Sequence, residues 1–149
     1  MDHPDNTAAL GADLLAVVAR INRLANQRIE LPLPVAQARL LSTIEDQGPT
    51  RISDLAALDH CSQPTMTTQV RRLEDAGLVT RAEDPGDARA VLIAITDAGR
   101  RILSRVRADR SAAINPYLAH LDDAERTALT DAIAVLRGLL DMARHDRQP

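Results

Sequence analysis

From Ser62 to Gly77 the sequence reads SQPTMTTQVRRLEDAG, and its polar residues are of kinds that meet nucleic-acid edges and phosphates. At about 100° per residue, Met66, Val70 and Leu73 fall in one narrow arc of a helix and must face a core. The remaining arc carries Thr65, Thr67, Thr68, Arg71 and Arg72, flanked by Gln63 and Gln69. Hydroxyls and amides pair with base edges or phosphate oxygens, threonine methyls pack on thymine methyls, and arginine forks grip guanine or phosphate. This face has no acid before Glu74, and an acid there would repel phosphate. A merely solvated polar face is the plain alternative, and the helix alone does not decide between them.

The next residues weigh toward binding. Two segments rich in β-branched residues, Leu78–Ala82 and Ala90–Ile95, flank EDPGDA. Within it, Asp84-Pro85-Gly86-Asp87 puts Pro and Gly where a tight turn wants them, which predicts a hairpin. Arg81 lies on the incoming strand, and Arg89 stands near the tip beside Asp87. A basic tip on a two-stranded ribbon can enter a minor groove next to a helix in the major groove. Asp87 cannot attract DNA, so its expected task is to hold Arg89 by a charge-assisted hydrogen bond.

Other elements must position this helix and hairpin. Leu10, Leu14, Val17, Ile21 and Leu24 step by four and three, predicting a helix from about Asn6 to Arg28, broken by LPLP at 31–34. Pro34 suits the first turn of a second helix that turns Val35, Ala38, Leu41 and Ile44 inward and stops at Gly48-Pro49. A short third helix, Ser53 to Leu58, has Ser53 as its expected cap and Leu55 and Leu58 as its inward residues. Asp59-His60-Cys61 forms a turn. The fourth helix then runs from the cap Ser62 to about Ala76, with Gly77 closing it in a left-handed conformation. After the hairpin, Thr96 caps a long fifth helix toward Tyr117, which Pro116 bends or ends. The sixth, from Asp122 to about Ala143, carries the stripe Leu129, Ile133, Leu136 and Leu140, with fraying expected from Arg144. A short helix, tight turn, longer helix and hairpin in succession form a winged helix-turn-helix. The predicted fold class is mainly α with a small β-hairpin wing.

Composition narrows the classes without choosing among them. Tyr117 is the single aromatic, so the core must be built from Leu, Ile, Val and Ala, which suits close-packed helices better than a sandwich or barrel. Every basic residue is Arg. Residues 51–110 carry 10 Arg against 9 acids, while 1–50 and 111–149 each carry 4 against 6, so the middle is only mildly positive in a chain of net charge −3. Charge does not announce DNA binding; geometry must carry it. The acidic start lacks a leader pattern, no apolar run approaches the roughly 18 residues of a membrane span, and the lone Cys61 implies no disulfide framework. A cytoplasmic protein is expected, with no cofactor and no membrane partner.

The stretch SQPTMTTQVRRLEDAGLVTRAEDPGDARAVLIAITDAGR resembles the core of the MarR family of regulators. The matching elements are RLEDAGLVTR at 72–81, Asp87-x-Arg89 in the wing and Thr96-Asp-Ala-Gly99 opening the next helix. The resemblance implies one MarR-like domain over 1–149, with dimerisation helices at 1–34 and 111–149 and a DNA-binding lobe at 50–96. It implies a homodimer on double-stranded DNA, a pseudo-palindromic operator, repression, and release by a small-molecule ligand. It also makes Thr65, Thr67, Thr68, Arg71 and Arg72 the groove and phosphate contacts and Arg89 the wing arginine. Two positions depart from the family pattern: Ala88 follows Asp87 where a basic residue is frequent, and the aromatics that often line family ligand pockets are missing.

Other readings have less behind them. Cys61 beside a helix start could sense redox state, but a small apolar slot in the turn explains it as well. His3, His60, His120 and His145 lack metal-ligand spacing. No nucleophile elbow or phosphate loop appears, so an enzyme is the weakest class. An architectural or interaction protein that keeps the fold without operator specificity is the serious alternative, separable by how strongly one duplex is preferred over others.

Overall fold

A computed structural model of the chain describes residues 4–27, 30 and 32–146. The elements in order are α1 (Pro4–Gln27), α2 (Val35–Gln47), β1 (Thr50–Arg51), α3 (Ile52–Leu58), α4 (Gln63–Asp75), β2 (Val79–Asp84), β3 (Asp87–Ile95), α5 (Asp97–Leu118) and α6 (Asp123–His145). The helices and hairpin follow the order read from the sequence. One element escapes that reading: β1, only two residues long, is too short to leave a period, yet it pairs Thr50 with Ile93 and Arg51 with Leu92. The antiparallel sheet therefore has the order β1-β3-β2.

Several boundaries move for local reasons. Pro34 is the N-cap of α2 and lies outside its first turn, where its carbonyl accepts the amides of Gln37 and Ala38 at 2.9 and 3.0 Å. Ser53 does not cap α3; the helix starts at Ile52 behind Arg51, with no side-chain cap bond. Val35, expected inward, is 51% exposed at the start of α2. Pro116 does not end α5, which continues to Leu118. Asp122 caps α6 through a capping box with Glu125, and the helix extends past Ala143 to His145, where Arg144 and His145 suit its negative end. The predicted last residue of the first helix, Arg28, lies outside the described residues.

Two compact units divide between Ala113 and Ile114. In the first, Leu41 and Ile44 of α2, Leu55 of α3, Met66, Val70 and Leu73 of α4 and Ile93 of β3 are fully buried, and Leu103 of α5 joins their cluster. Without aromatics, these aliphatic side chains fix where α4 sits. The stripe of α1 is largely open: Leu10 is 68% and Val17 53% exposed, with Leu14 and Leu24 half-buried. In the second unit, α6 has no buried residue, and Leu129, Ile133 and Leu140 are exposed. No helix among the described residues is long and apolar enough to cross a membrane.

Candidate nucleic-acid interface

Backbone chemistry at both ends of α4 sets its position. In the turn before it, the amides of His60 and Cys61 return to the carbonyls of Ala57 and Ala56 at 3.4 and 3.0 Å, which closes α3 with His60 at a left-handed φ of 51°. Cys61 packs half-buried against the core, as the slot-filling reading expects. Ser62 then caps α4, its Oγ accepting the Thr65 amide at 3.3 Å. At the far end Gly77, at φ 72°, and Leu78 donate to Glu74 and Leu73, both at 2.9 Å, so the chain turns directly into β2. α3 packs against α4, completing the helix-turn-helix.

With Met66, Val70 and Leu73 buried, helical geometry turns the opposite face outward. Thr68 falls within about 20° of the direction opposite those three, and Arg71 and Arg72 straddle it. All three are exposed, as are Gln63, Thr65 and Thr67, whereas Gln69 is half-buried at the edge. Among the described residues, neither Arg71 nor Arg72 has an acidic partner. The threonine hydroxyls are engaged within the helix. Thr67 donates to the Gln63 carbonyl at 2.8 Å, Thr68 donates to the Pro64 carbonyl at 3.1 Å, and Thr65 shares a hydrogen bond with Ser62 Oγ at 2.8 Å. Glu74, the first acid on this helix, is neutralised by Arg81, whose Nε donates to both carboxylate oxygens at 3.0 and 2.9 Å. Arg81 thus ties the incoming wing strand to the end of α4.

The hairpin tip is irregular in a way that presents Arg89. Register jumps from Glu83 opposite Val91 to Asp84 opposite Asp87, so Ala88, Arg89 and Ala90 bulge from β3. Bulges re-aim side chains, and Arg89 is exposed with no ion pair among the described residues. As expected, Asp87 holds Arg89 by a charge-assisted hydrogen bond, and the bond goes to the backbone amide of Arg89, not to its guanidinium. Asp87 Oδ1 accepts the backbone N–H of Arg89 at 3.1 Å, and Oδ2 lies 3.9 Å from Arg51 Nη2. The short spacing from Asp87 to Arg89 lets a carboxylate reach the backbone amide and form an Asx turn, so Asp87 shapes the bulge and leaves the arginine free.

Arg51 is the residue that sequence reasoning misses. It donates to Asp84 Oδ2 through Nε at 3.1 Å and Nη2 at 2.6 Å, while Asp84 Oδ1 accepts the Gly86 amide at 2.9 Å. One carboxylate therefore joins β1 to the wing turn. No local signal marks this pairing, because the partners are 33 residues apart. The Arg51 hydrogen bond, helped by that of Gly86, holds the Asp84 carboxyl below its ordinary range. A depressed folded-state value stabilises the wing above the unfolded carboxylate pKa of about 3.9, and the stabilisation is lost as pH falls through the folded value. In Arg51→Ala, Asp84 should titrate at higher pH and the Gly86 amide should exchange faster at neutral pH. Carboxyl and amide NMR would read both; an unmoved Asp84 titration would contradict the tie.

The comparisons with known proteins agree with this geometry. A family model described as the MarR family matches residues 33–91. An HTH-type transcriptional regulator of Mycobacterium tuberculosis is 30% identical over 138 residues, covering 92% of this chain and 96% of the relative. The HTH-type transcriptional repressor MdtR of Bacillus subtilis is 28% identical over 90 residues, covering 60% of this chain and 58% of the relative. The crystal structure of a transcriptional regulator from Thermotoga maritima matches with a TM-score of 0.73 at 25% identity, over 95% of this chain and 99% of that one. With a capped helix-turn-helix, a hairpin wing and flanking helices in this order, the chain belongs to the MarR family of winged helix-turn-helix, DNA-binding transcriptional regulators.

Proposed function

We propose that the chain is a cytoplasmic homodimeric repressor that binds a pseudo-palindromic operator in double-stranded DNA. The observation that carries this reading is the outward face of α4, where Thr68, Arg71 and Arg72 are exposed and the first acid is neutralised from the wing. Residues 50–96 form the DNA-reading lobe: α4 enters the major groove with Gln63, Thr65, Thr67, Thr68, Gln69, Arg71 and Arg72, and Arg89 reaches the adjacent minor groove. Arg81 and Asp87 serve that interface from behind, through Glu74 and through the bulge. Repression is the role that the Bacillus subtilis relative, the transcriptional repressor MdtR, is named for.

The dimer is supported by apolar surface on the two proposed dimerisation segments, 1–34 and 111–149. Leu10 of α1 is 68% exposed and Leu140 of α6 is 63% exposed, within longer apolar stripes that a partner chain would cover. Sedimentation equilibrium at micromolar concentration should give twice the 16.2 kDa chain mass. Alanine at both Leu14 and Ile133 should dissociate or unfold the protein, and a stable folded wild-type monomer would contradict the dimer.

A cavity and two unpartnered polar atoms support the reading that a small molecule releases the DNA. A cavity of about 260 Å³ between α1, α2 and α5 is lined by Asn22, Asn26, Arg39, Ser42, Arg107 and Arg110, among others. Asn26 Oδ1 and Arg110 Nε are buried there without a hydrogen-bond partner, which suits a small polar ligand offering both a donor and an acceptor.

Arg89→Ala tests the wing. It should weaken operator binding by about 1–3 kcal/mol with thermal stability nearly unchanged, as expected of an exposed, groove-inserted arginine. A fluorescence-anisotropy titration at two salt concentrations reads it; unchanged affinity with an unchanged salt slope would remove Arg89 from the interface.

A further inference from the structure

We infer that the cavity between α1, α2 and α5 binds a small aliphatic hydroxy acid, its carboxylate meeting Arg110 and its hydroxyl meeting Asn26. This rests on the proposed release by a small molecule and adds that molecule's chemical class. The described residues lining the cavity include Arg39, Arg107 and Arg110 and no acid. Two of these arginines are answered by acids that do not line it: Arg39 by Asp59 at 3.0 Å and Arg107 by Glu45 at 2.8 Å. Arg110 has no acidic partner among the described residues. Its Nη2 donates to Asn22 Oδ1 at 2.6 Å, and its Nε is buried without an acceptor. A guanidinium with an unmet buried donor suits a carboxylate, which supplies both the acceptor and the missing charge. Asn26 Oδ1, buried and unmet in the same cavity, requires a donor. An ammonium would supply one but would add positive charge beside three guanidinium groups, whereas a hydroxyl supplies one without charge. None of the described lining residues carries a ring, and Leu103 and Val106 form a narrow aliphatic wall. Unlike the aromatic-lined pockets frequent in the family, this cavity has no face on which an aromatic acid could stack. At about 260 Å³ it holds roughly nine water-sized groups, about the heavy-atom count of a four-carbon hydroxy diacid.

Isothermal titration calorimetry of the full-length wild-type protein at neutral pH, with malate, succinate and aspartate, tests this. The three acids share one carbon skeleton and differ in carrying a hydroxyl, a hydrogen or an ammonium. Malate should bind about fivefold more tightly than succinate, the worth of about one hydrogen bond. Aspartate and the aromatic acid benzoate should both bind more weakly than malate. Asn26→Ala should bind malate only as tightly as the wild type binds succinate and leave succinate binding unchanged, a pattern that a general loosening of the cavity would not give. Arg110→Met should weaken malate binding about tenfold or more, as expected of a lost charge-assisted hydrogen bond. Circular dichroism checks that each variant is folded, and Asn26→Ala carries the test if Arg110→Met is not. Equal binding of malate and succinate, a malate preference that survives Asn26→Ala, undiminished malate binding by folded Arg110→Met, or tighter binding of benzoate overturns the inference. Binding of none of the four acids overturns it too, while leaving operator binding standing. Titration of a selected operator duplex with and without saturating malate separates the inference from the release reading. If malate binds as expected yet operator affinity is unchanged, the ligand class is supported and release by it fails.

Discussion

Replacing Gly99 with alanine is expected to lower stability by about 3–5 kcal/mol, although the same change in an ordinary helix is worth about 1 kcal/mol of stabilisation. Gly99 is buried in the first turn of α5, and a Cβ there would overlap the Leu78 carbonyl oxygen and lie 2.7 Å from Ile95 Cγ1. The obstacle is backbone, and that backbone is held. The Leu78 carbonyl accepts the Thr96 amide at 3.0 Å, Thr96 Oγ1 donates to the Gly77 carbonyl at 2.7 Å, and the same oxygen accepts the Gly99 amide at 3.1 Å. Leu78 is also where α4 closes, so a shift forced at Gly99 passes to the pose of the proposed DNA-reading helix. Denaturant titration measures the loss, and DNA affinity should fall with it. A change below about 1 kcal/mol would show that this packing is looser than the structure has it.

The second large effect concerns Arg71 and Arg72. Each alanine substitution is expected to cost about 1–3 kcal/mol of operator affinity while leaving folding intact, because neither side chain supports the core or an ion pair within the described residues. The two should differ in kind. Glu74, tied to Arg81 of β2, marks the wing-ward edge of α4, and Arg71 stands three residues before it on that edge. Arg72 lies on the other side of Thr68. With the helix seated in a groove, one arginine should weaken all duplexes alike and flatten the salt dependence by about one unit of slope per phosphate contact. The other should relax preference at a symmetric pair of positions. Titrations on operator and scrambled duplex at two salt concentrations separate these outcomes. Equal losses on both duplexes for both variants would make α4 a non-specific anchor and favour the architectural alternative.

The sequence shows the helices, the wing turn and the outward face of α4, because each depends on neighbours a few residues apart. The arc of Met66, Val70 and Leu73 needs only the helical period, and all three are buried. Ser62, Gly77 and Thr96 are local caps, and each acts as one. What escapes depends on the tertiary fold. β1 exists because β3 is there to pair with it, and Arg51 matters because the fold brings Asp84 to it. The spacing of Asp87 and Arg89 predicts a hydrogen bond between them, but not that the carboxylate takes the backbone amide. The inward direction of the threonine hydroxyls is likewise a rotamer choice that residue type cannot reveal.

Hydroxyl-radical footprinting of the wild-type dimer on its selected operator tests the central claim most directly. Two recognition helices related by a twofold axis should protect two symmetric half-sites about 10 base pairs, one helical turn, apart, with minor-groove protection beside each from the wing. Arg89→Ala should lift the flanking protection and leave the half-sites covered. Uniform protection along any duplex, or a single unpaired protected segment, would contradict sequence-specific binding by a symmetric winged helix-turn-helix dimer.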